Sequence, residues 1–99
     1  MLAQMSFAEF EASLDQPNPP VTLSPALAGL WHDAKGDWAA AHRSVQDDDS
    51  AAGAWVHAYL HRKEGDASNA AYWYGRARQP VADVSLADEW SAIARALAR

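Results

Sequence analysis

Four histidines are the side chains of this 99-residue chain that are best suited to chemistry. His57 and His61 are four residues apart, the spacing at which two imidazoles on one helix can share a metal ion. A metal site needs further ligands, however, and the chain has no cysteine and no glutamate directly after His57. The pattern alone assigns no metal, and the candidate ligands of such a site are His57, His61 and, from the matching helix of a neighbouring hairpin, His32.

The histidines admit three interpretations. In the first, His57, His61 and Glu64 form the solvated polar face of a helix whose other face carries Trp55 and Tyr59. In the second, this polar face binds a metal ion or a small ligand, and in the third the histidines are buried and hydrogen-bonded between helices. The first interpretation needs no bound group, so the sequence alone favours it.

Aromatic residues are concentrated between positions 55 and 74. Because Tyr72, Trp73 and Tyr74 are consecutive, they spread over about 200° of a helix and cannot all point into one core. Large side chains can fill the spaces of a thin, alanine-rich bundle, but Tyr and Arg also anchor binding interfaces. We predict a face for a partner or ligand that consists of His32, His57, His61, Arg62, Glu64, Tyr72, Tyr74 and Arg76.

Motifs for catalysis are absent from the sequence. There is no nucleophile elbow for a Ser-His-acid triad and no glycine-rich phosphate loop, and the acids at 47–49 are typical of a solvated loop. A general acid or base could be built from His57, His61 or Glu64, but no pattern requires one. The chain is therefore predicted to be non-catalytic and to have no cofactor, with a small enzyme as the alternative.

Charge and hydropathy exclude other classes of function. The net charge is −5, and residues 1–50 hold eight acids and two bases whereas residues 51–99 hold five acids and six bases. Nucleic acid is not an expected partner, because duplex binding generally needs a clustered basic face. No run of 18 apolar residues and no leader-like start is present, so we expect a cytoplasmic protein without a membrane partner.

Local signals predict an all-α fold in one domain, residues 1–99. The chain has 23 alanines, the residue that loses least entropy in a helix. Ser6 and Glu9 have capping-box spacing, Ser24 precedes a proline at a first helical position, and Gly36 and Gly65 are suited to left-handed helix ends. The expected helices are about six: 7–14, 25–36, 38–46, 51–63, 67–78 and 86 almost to 99.

An internal repeat relates two parts of the chain. An offset of 29 residues aligns LWHDAKGD at 30–37 with YLHRKEGD at 59–66, so that His32 matches His61. A helix, a Gly-Asp reversal and a second helix cannot bury an apolar face alone, so such hairpins stack. We predict two tandem helical hairpins, with the first and sixth helices as caps at the two ends.

These hairpins resemble the tetratricopeptide and Sel1-like repeat families. The resemblance covers roughly residues 25–80, and the residues that carry it are Gly29, Asp37, Trp38, Ala41, Ala70, Trp73, Tyr74 and Ala77. What it implies is a scaffold that binds another protein, a peptide or a second copy of itself. This implication is an analogy of fold, since one fold supports many functions.

Overall fold

The computed structural model describes residues 5–98, and this part of the chain consists of six α-helices without a strand. The all-α prediction is confirmed, and the helix ends fall close to the expected positions because each start has its predicted cap. Ser6, for example, accepts a hydrogen bond from the Glu9 N–H, and the Glu9 carboxylate accepts one from the Ser6 N–H. The helices are α1 (Phe7–Ser13), α2 (Pro25–Ala34), α3 (Trp38–Val45), α4 (Ala51–Glu64), α5 (Ala67–Ala77) and α6 (Leu86–Leu97).

The two Gly-Asp steps have matching backbone geometry. Gly36 and Gly65 adopt positive φ angles of 82° and 91°, a region that costs little only for glycine. After each glycine, the aspartate N–H donates to the carbonyl of the histidine five residues earlier, at 3.0 Å for His32 and 2.9 Å for His61. The backbones at His32 and His61 therefore occupy equivalent places in the two turns.

Helix α4 lies at the centre of the molecule. It packs against α2, α3, α5 and α6, while α2 also packs against α3 and α6. The sixth helix thus bridges the first helices of the two pairs, and α1 joins it through Phe10, whose ring stacks on Trp90. No helix within residues 5–98 has the length and apolar character that crossing a bilayer requires. The main core consists of Phe10, Ala26, Leu27, Leu30, Trp31, Ala41, Val45, Val56, Tyr59, Leu60, Ile93, Ala94 and Ala98.

Two buried carboxylates tie the helices together. Asp33 accepts hydrogen bonds from the Tyr59 hydroxyl at 2.7 Å and from Lys63 Nζ at 2.8 Å. Glu89, which is also buried, forms an ion pair with Arg62 at 2.8 Å and accepts a hydrogen bond from the Tyr74 hydroxyl. Because each carboxylate is paired with a cation and a hydroxyl, these contacts offset the free-energy cost of burying its charge.

Gly29 lies where α2 packs closely against α3 and α4. A Cβ atom at this position would lie 3.1 Å from Val45 Cγ1 and 3.1 Å from Val56 Cγ1, and both valines are fully buried. Helix propensity favours alanine over glycine by about 1 kcal/mol, but overpacking typically costs about 1–3 kcal/mol. We expect Gly29→Ala to lower the free energy of unfolding by about 1 kcal/mol, measured by urea denaturation.

The matched control is Gly75→Ala in α5. A Cβ atom there meets no other atom within 4 Å, so only the propensity term applies. We expect this variant to be as stable as the parent or up to about 1 kcal/mol more stable. Equal stabilisation by both substitutions would show that the α2 contact is not tight.

Candidate functional site

The central helix α4 directs its histidines into the protein. His57 is 4% exposed and His61 is 6% exposed, so the expectation that they lie on a solvated polar face is wrong. The physical reason is the position of α4, which has neighbours on several sides. A helix that is surrounded in this way has no free polar face.

His57, His61 and, from α3, His42 form a cluster that we call the histidine triad. Each imidazole offers a nitrogen atom, and the three nitrogens lie within 4.8 Å of one another. The rings of His57 and His61 stack with their centroids 4.8 Å apart, and the ring of His42 meets both of them edge-on. Nε2 of His42 and Nε2 of His57 share a hydrogen bond of 3.1 Å between α3 and α4, as the interpretation of buried, hydrogen-bonded histidines predicts. Two packed helices thus bring three potential metal ligands to one point.

Two indole rings hold the triad from the sides. The Trp38 ring is nearly parallel to His42 at 5.0 Å, and the Trp73 ring is nearly parallel to His57 at 3.9 Å. Trp38 is itself held by α4, because its Nε1 donates to the carbonyl of Leu60 at 2.9 Å. Side chains whose rotamers are fixed by packing keep a binding site in its productive geometry.

A carboxylate and an amide flank the third imidazole. Oε2 of Glu64 lies 2.5 Å from Nδ1 of His61, and Nδ2 of Asn69 lies 3.4 Å from Nε2 of the same ring. Carboxylates often hold the outer nitrogen of a metal-bound histidine and so set its orientation. Glu64 occupies such a place relative to His61.

One nitrogen of the triad has no partner. Nδ1 of His57 is buried, and no described residue forms a hydrogen bond with it. Since one nitrogen of a neutral imidazole carries a proton and the other a lone pair, this atom is an unmatched donor or an unmatched acceptor. Leaving a buried polar group unmatched costs about 1–3 kcal/mol, which is the kind of cost accepted at functional sites.

The environment lowers the pKa of two of the triad's histidines, His57 and His42. Burial, together with the neighbouring imidazoles of His42 and His61, lowers the pKa of His57 from 6.5 to about 4. Burial and the His61 imidazole also lower the pKa of His42, although Glu64 acts in the opposite direction. A neutral imidazole has a free lone pair, which is the form that binds a metal ion.

The eight residues predicted to share one binding face lie in separate places. Two belong to the triad, and Glu64 contacts it. Arg62 and Tyr74 instead hold the buried Glu89, and burial together with the Glu89 hydrogen bond raises the pKa of Tyr74. Tyr72 and Arg76 lie on the surface, where the Arg76 guanidinium donates to the Tyr72 hydroxyl.

His32, the third ligand suggested by the sequence, is not a member of the triad. Its ring is half-buried and contacts the edge of Trp31. The residue that takes its place, His42, follows Trp38 by four positions, so both lie on the same side of α3. That spacing is visible in the sequence, but nothing in the sequence shows that this side of α3 meets α4.

A concave region away from the triad lies between α2, α4 and α6. This open groove has a volume of about 420 Å³ and is lined partly by Asp33, Tyr59, Lys63 and Trp90. Its polar atoms already bind one another, because Asp33 accepts from both Tyr59 and Lys63. The histidine triad, in which three imidazole nitrogens converge, is the stronger candidate for a functional site.

Comparison with protein-family models, with curated proteins and with solved structures finds no match for this chain. The resemblance to tetratricopeptide and Sel1-like repeats therefore stays a prediction.

Proposed function

We propose that this protein binds a divalent transition-metal ion, such as Zn²⁺, through His42, His57 and His61. The observation that carries the proposal is the convergence of three imidazole nitrogens, from two packed helices, within 4.8 Å of one another. Imidazole is a preferred ligand of zinc, copper and nickel, and three histidines are an established ligand set for zinc.

The spacing of the nitrogens supports this proposal. Zinc binds histidine nitrogens at about 2.0–2.1 Å, so two ligands of a tetrahedral ion are about 3.3 Å apart. Nε2 of His42 and Nε2 of His57 are separated by 3.1 Å. An ion would replace the hydrogen bond between these two nitrogens and would require them to move by a few tenths of an ångström. The ring of His61, whose nitrogens contact Glu64 and Asn69, would have to adjust further.

The electrostatics also favour a cation. Metal binding normally competes with protons for the histidine nitrogens. Because the pKa of His57 is lowered to about 4 and that of His42 is lowered as well, protons compete weakly at neutral pH. The carboxylate of Glu64 beside His61 adds negative charge at the edge of the site.

Protein or peptide binding, the function favoured by the sequence, has less support from this arrangement. His57, His61 and Tyr74 are buried and so are not available to a docking partner. Tyr72 and Arg76 are the members of the predicted face that remain exposed without contacting the triad. They stay candidates for a partner contact.

The test is a titration of tag-free, metal-free protein with Zn²⁺, followed by isothermal calorimetry and elemental analysis. We expect one equivalent to bind. At a free Zn²⁺ concentration about 100 times the dissociation constant, binding should stabilise the fold by about 2.7 kcal/mol. For a domain of this size, that corresponds to a rise in Tm of about 10–20 °C.

Two glutamine substitutions test whether metal binding depends on the triad or on any histidine of the chain. His42→Gln removes one ligand at a half-buried position and should weaken Zn²⁺ binding by more than about 100-fold, beyond the effect of an outer contact. His32→Gln removes a histidine outside the triad and should leave binding unchanged. Less than a tenth of an equivalent of zinc, nickel or copper on the parent protein would refute the proposal.

A further inference from the structure

The histidine triad supplies three ligands and no fourth. Among residues 5–98, no further histidine and no carboxylate has a ligand atom within 4.8 Å of all three triad nitrogens. Structural zinc sites usually have four protein ligands, whereas sites with three protein ligands keep the fourth position for water or a substrate. The number of ligands therefore separates these two kinds of site.

Glu64 is the nearby carboxylate that could act as a fourth ligand, but it already contacts the outer nitrogen of His61. Its Oε2 lies 2.5 Å from Nδ1 of His61. The ligand atoms of Glu64, His61 and Asp66 are close to one another, but this set does not contain His42 or His57. A carboxylate on the outer nitrogen orients the ring and increases its basicity. Glu64 would thus act as a positioning residue for His61, and it would leave the fourth position of a bound ion to another ligand.

The triad lies close to the surface of the protein. His57 and His61 are buried, but His42 on α3 and Asn69 on α5 are half-buried. Asn69 lies next to Nε2 of His61, so its amide group stands at the edge of the triad. A small molecule bound to the ion beside Asn69 could accept a hydrogen bond from this amide group.

Charge determines which molecule would occupy the fourth position. Three neutral imidazoles do not reduce the double charge of a divalent ion, and the single carboxylate of Glu64 beside His61 leaves the site with a net positive charge that attracts small anions. On these grounds, and resting on the proposed metal binding, we infer that the bound ion keeps one exchangeable position that takes water or a small anion. The ligand class is that of azide, bicarbonate or a small carboxylate.

The test uses protein loaded with Co²⁺, whose visible absorption reports the number and type of its ligands, with azide as the probe. We expect a saturable change in this absorption on addition of azide, with one azide bound per ion. Bound Co²⁺ whose spectrum does not respond to azide would overturn the exchangeable position while leaving metal binding intact. Failure to bind Co²⁺ at all would overturn both.

Glu64→Gln distinguishes a positioning residue from a fourth ligand. Since Glu64 is exposed, this variant should fold. If Glu64 positions His61, the variant should bind Co²⁺ about 10–100-fold more weakly and should respond to azide as the parent does. If azide changed the Co²⁺ spectrum of the variant but not that of the parent protein, Glu64 would be the fourth ligand. That result would contradict the inference.

Discussion

A chain that ends at residue 82 is expected to lose cooperative folding, because α6 completes the main core where it packs on α2 and α4. Ile93 and Ala94 are fully buried, and Nε1 of Trp90 donates to the carbonyl of Leu30 in α2 at 3.0 Å. The truncation would expose the faces of α2 and α4 on which α6 packs. Removing a single large core side chain costs about 2–5 kcal/mol, whereas whole domains are stable by about 5–15 kcal/mol.

The measurement is thermal unfolding followed by circular dichroism, together with size-exclusion chromatography. We expect the truncated chain to aggregate or to show no sigmoidal transition. A soluble truncation that melts cooperatively would show that α6 is dispensable.

Point substitutions separate loss of core packing from loss of chain length. Ile93→Asn places a polar group in the core and should destabilise the protein by about 3 kcal/mol or more. Ala92→Asn, at the exposed neighbouring position of the same helix, should cost only the difference in helix propensity, about 0.7 kcal/mol. Similar losses from both would indicate that α6 contributes helix formation and not packing.

Metal-free protein is expected to lose stability as the pH falls from about 6.5 towards about 4. The folded-state pKa of His57 is depressed to about 4, and that of His42 is also lowered, whereas both titrate near 6.5 in the unfolded chain. In this window the unfolded chain takes up protons that the folded protein does not. The contribution of these two uncharged histidines to the free energy of unfolding is therefore complete above pH 6.5 and is lost as the pH falls.

The size of this loss follows from the shift in pKa. One unit corresponds to about 1.4 kcal/mol, and after allowance for partial solvation of the triad we expect a loss on the order of 2 kcal/mol. The measurement is the midpoint of urea unfolding across this pH window in the presence of a chelator. A midpoint that stays constant across the window would contradict the prediction.

Carboxylates also titrate in acid, so a matched pair of variants is needed. His57→Gln removes the imidazole whose pKa is lowered, and it should reduce the pH dependence of the urea unfolding midpoint. His32→Gln, which changes a histidine outside the triad, should retain the dependence of the parent. Identical profiles in the two variants would assign the acid effect to groups other than His57.

The helices and turns of this protein could be predicted from the sequence with little error. Caps at Ser6, Ser24 and Ser85 each accept a backbone hydrogen bond at the predicted helix start. Gly36 and Gly65 have the left-handed conformation that their positions indicate. These features depend on residues a few positions apart, so the information needed is present in each segment.

The candidate site could be predicted only in part. The spacing indicates that His57 and His61 form a pair, but it favours a solvated face over the alternative of buried histidines and does not point to His42 as the third member. The offset of 29 residues pointed to His32 because its backbone is equivalent to that of His61, and that equivalence holds for the backbone alone. The side chains differ in their surroundings, since α4 packs against α5 as well as α2, α3 and α6, while α2 packs against α3, α4 and α6.

The sequence by itself thus determined an all-α chain of six helices with two similar Gly-Asp turns, because capping, helix propensity and glycine conformation are local properties. Only the tertiary structure decided which side of α4 is buried and which histidines meet. The pattern of polar residues along a helix indicates one outward face, but a helix with neighbours on several sides has none. For that reason two residues that the pattern assigns to solvent lie instead at the centre of the candidate metal site.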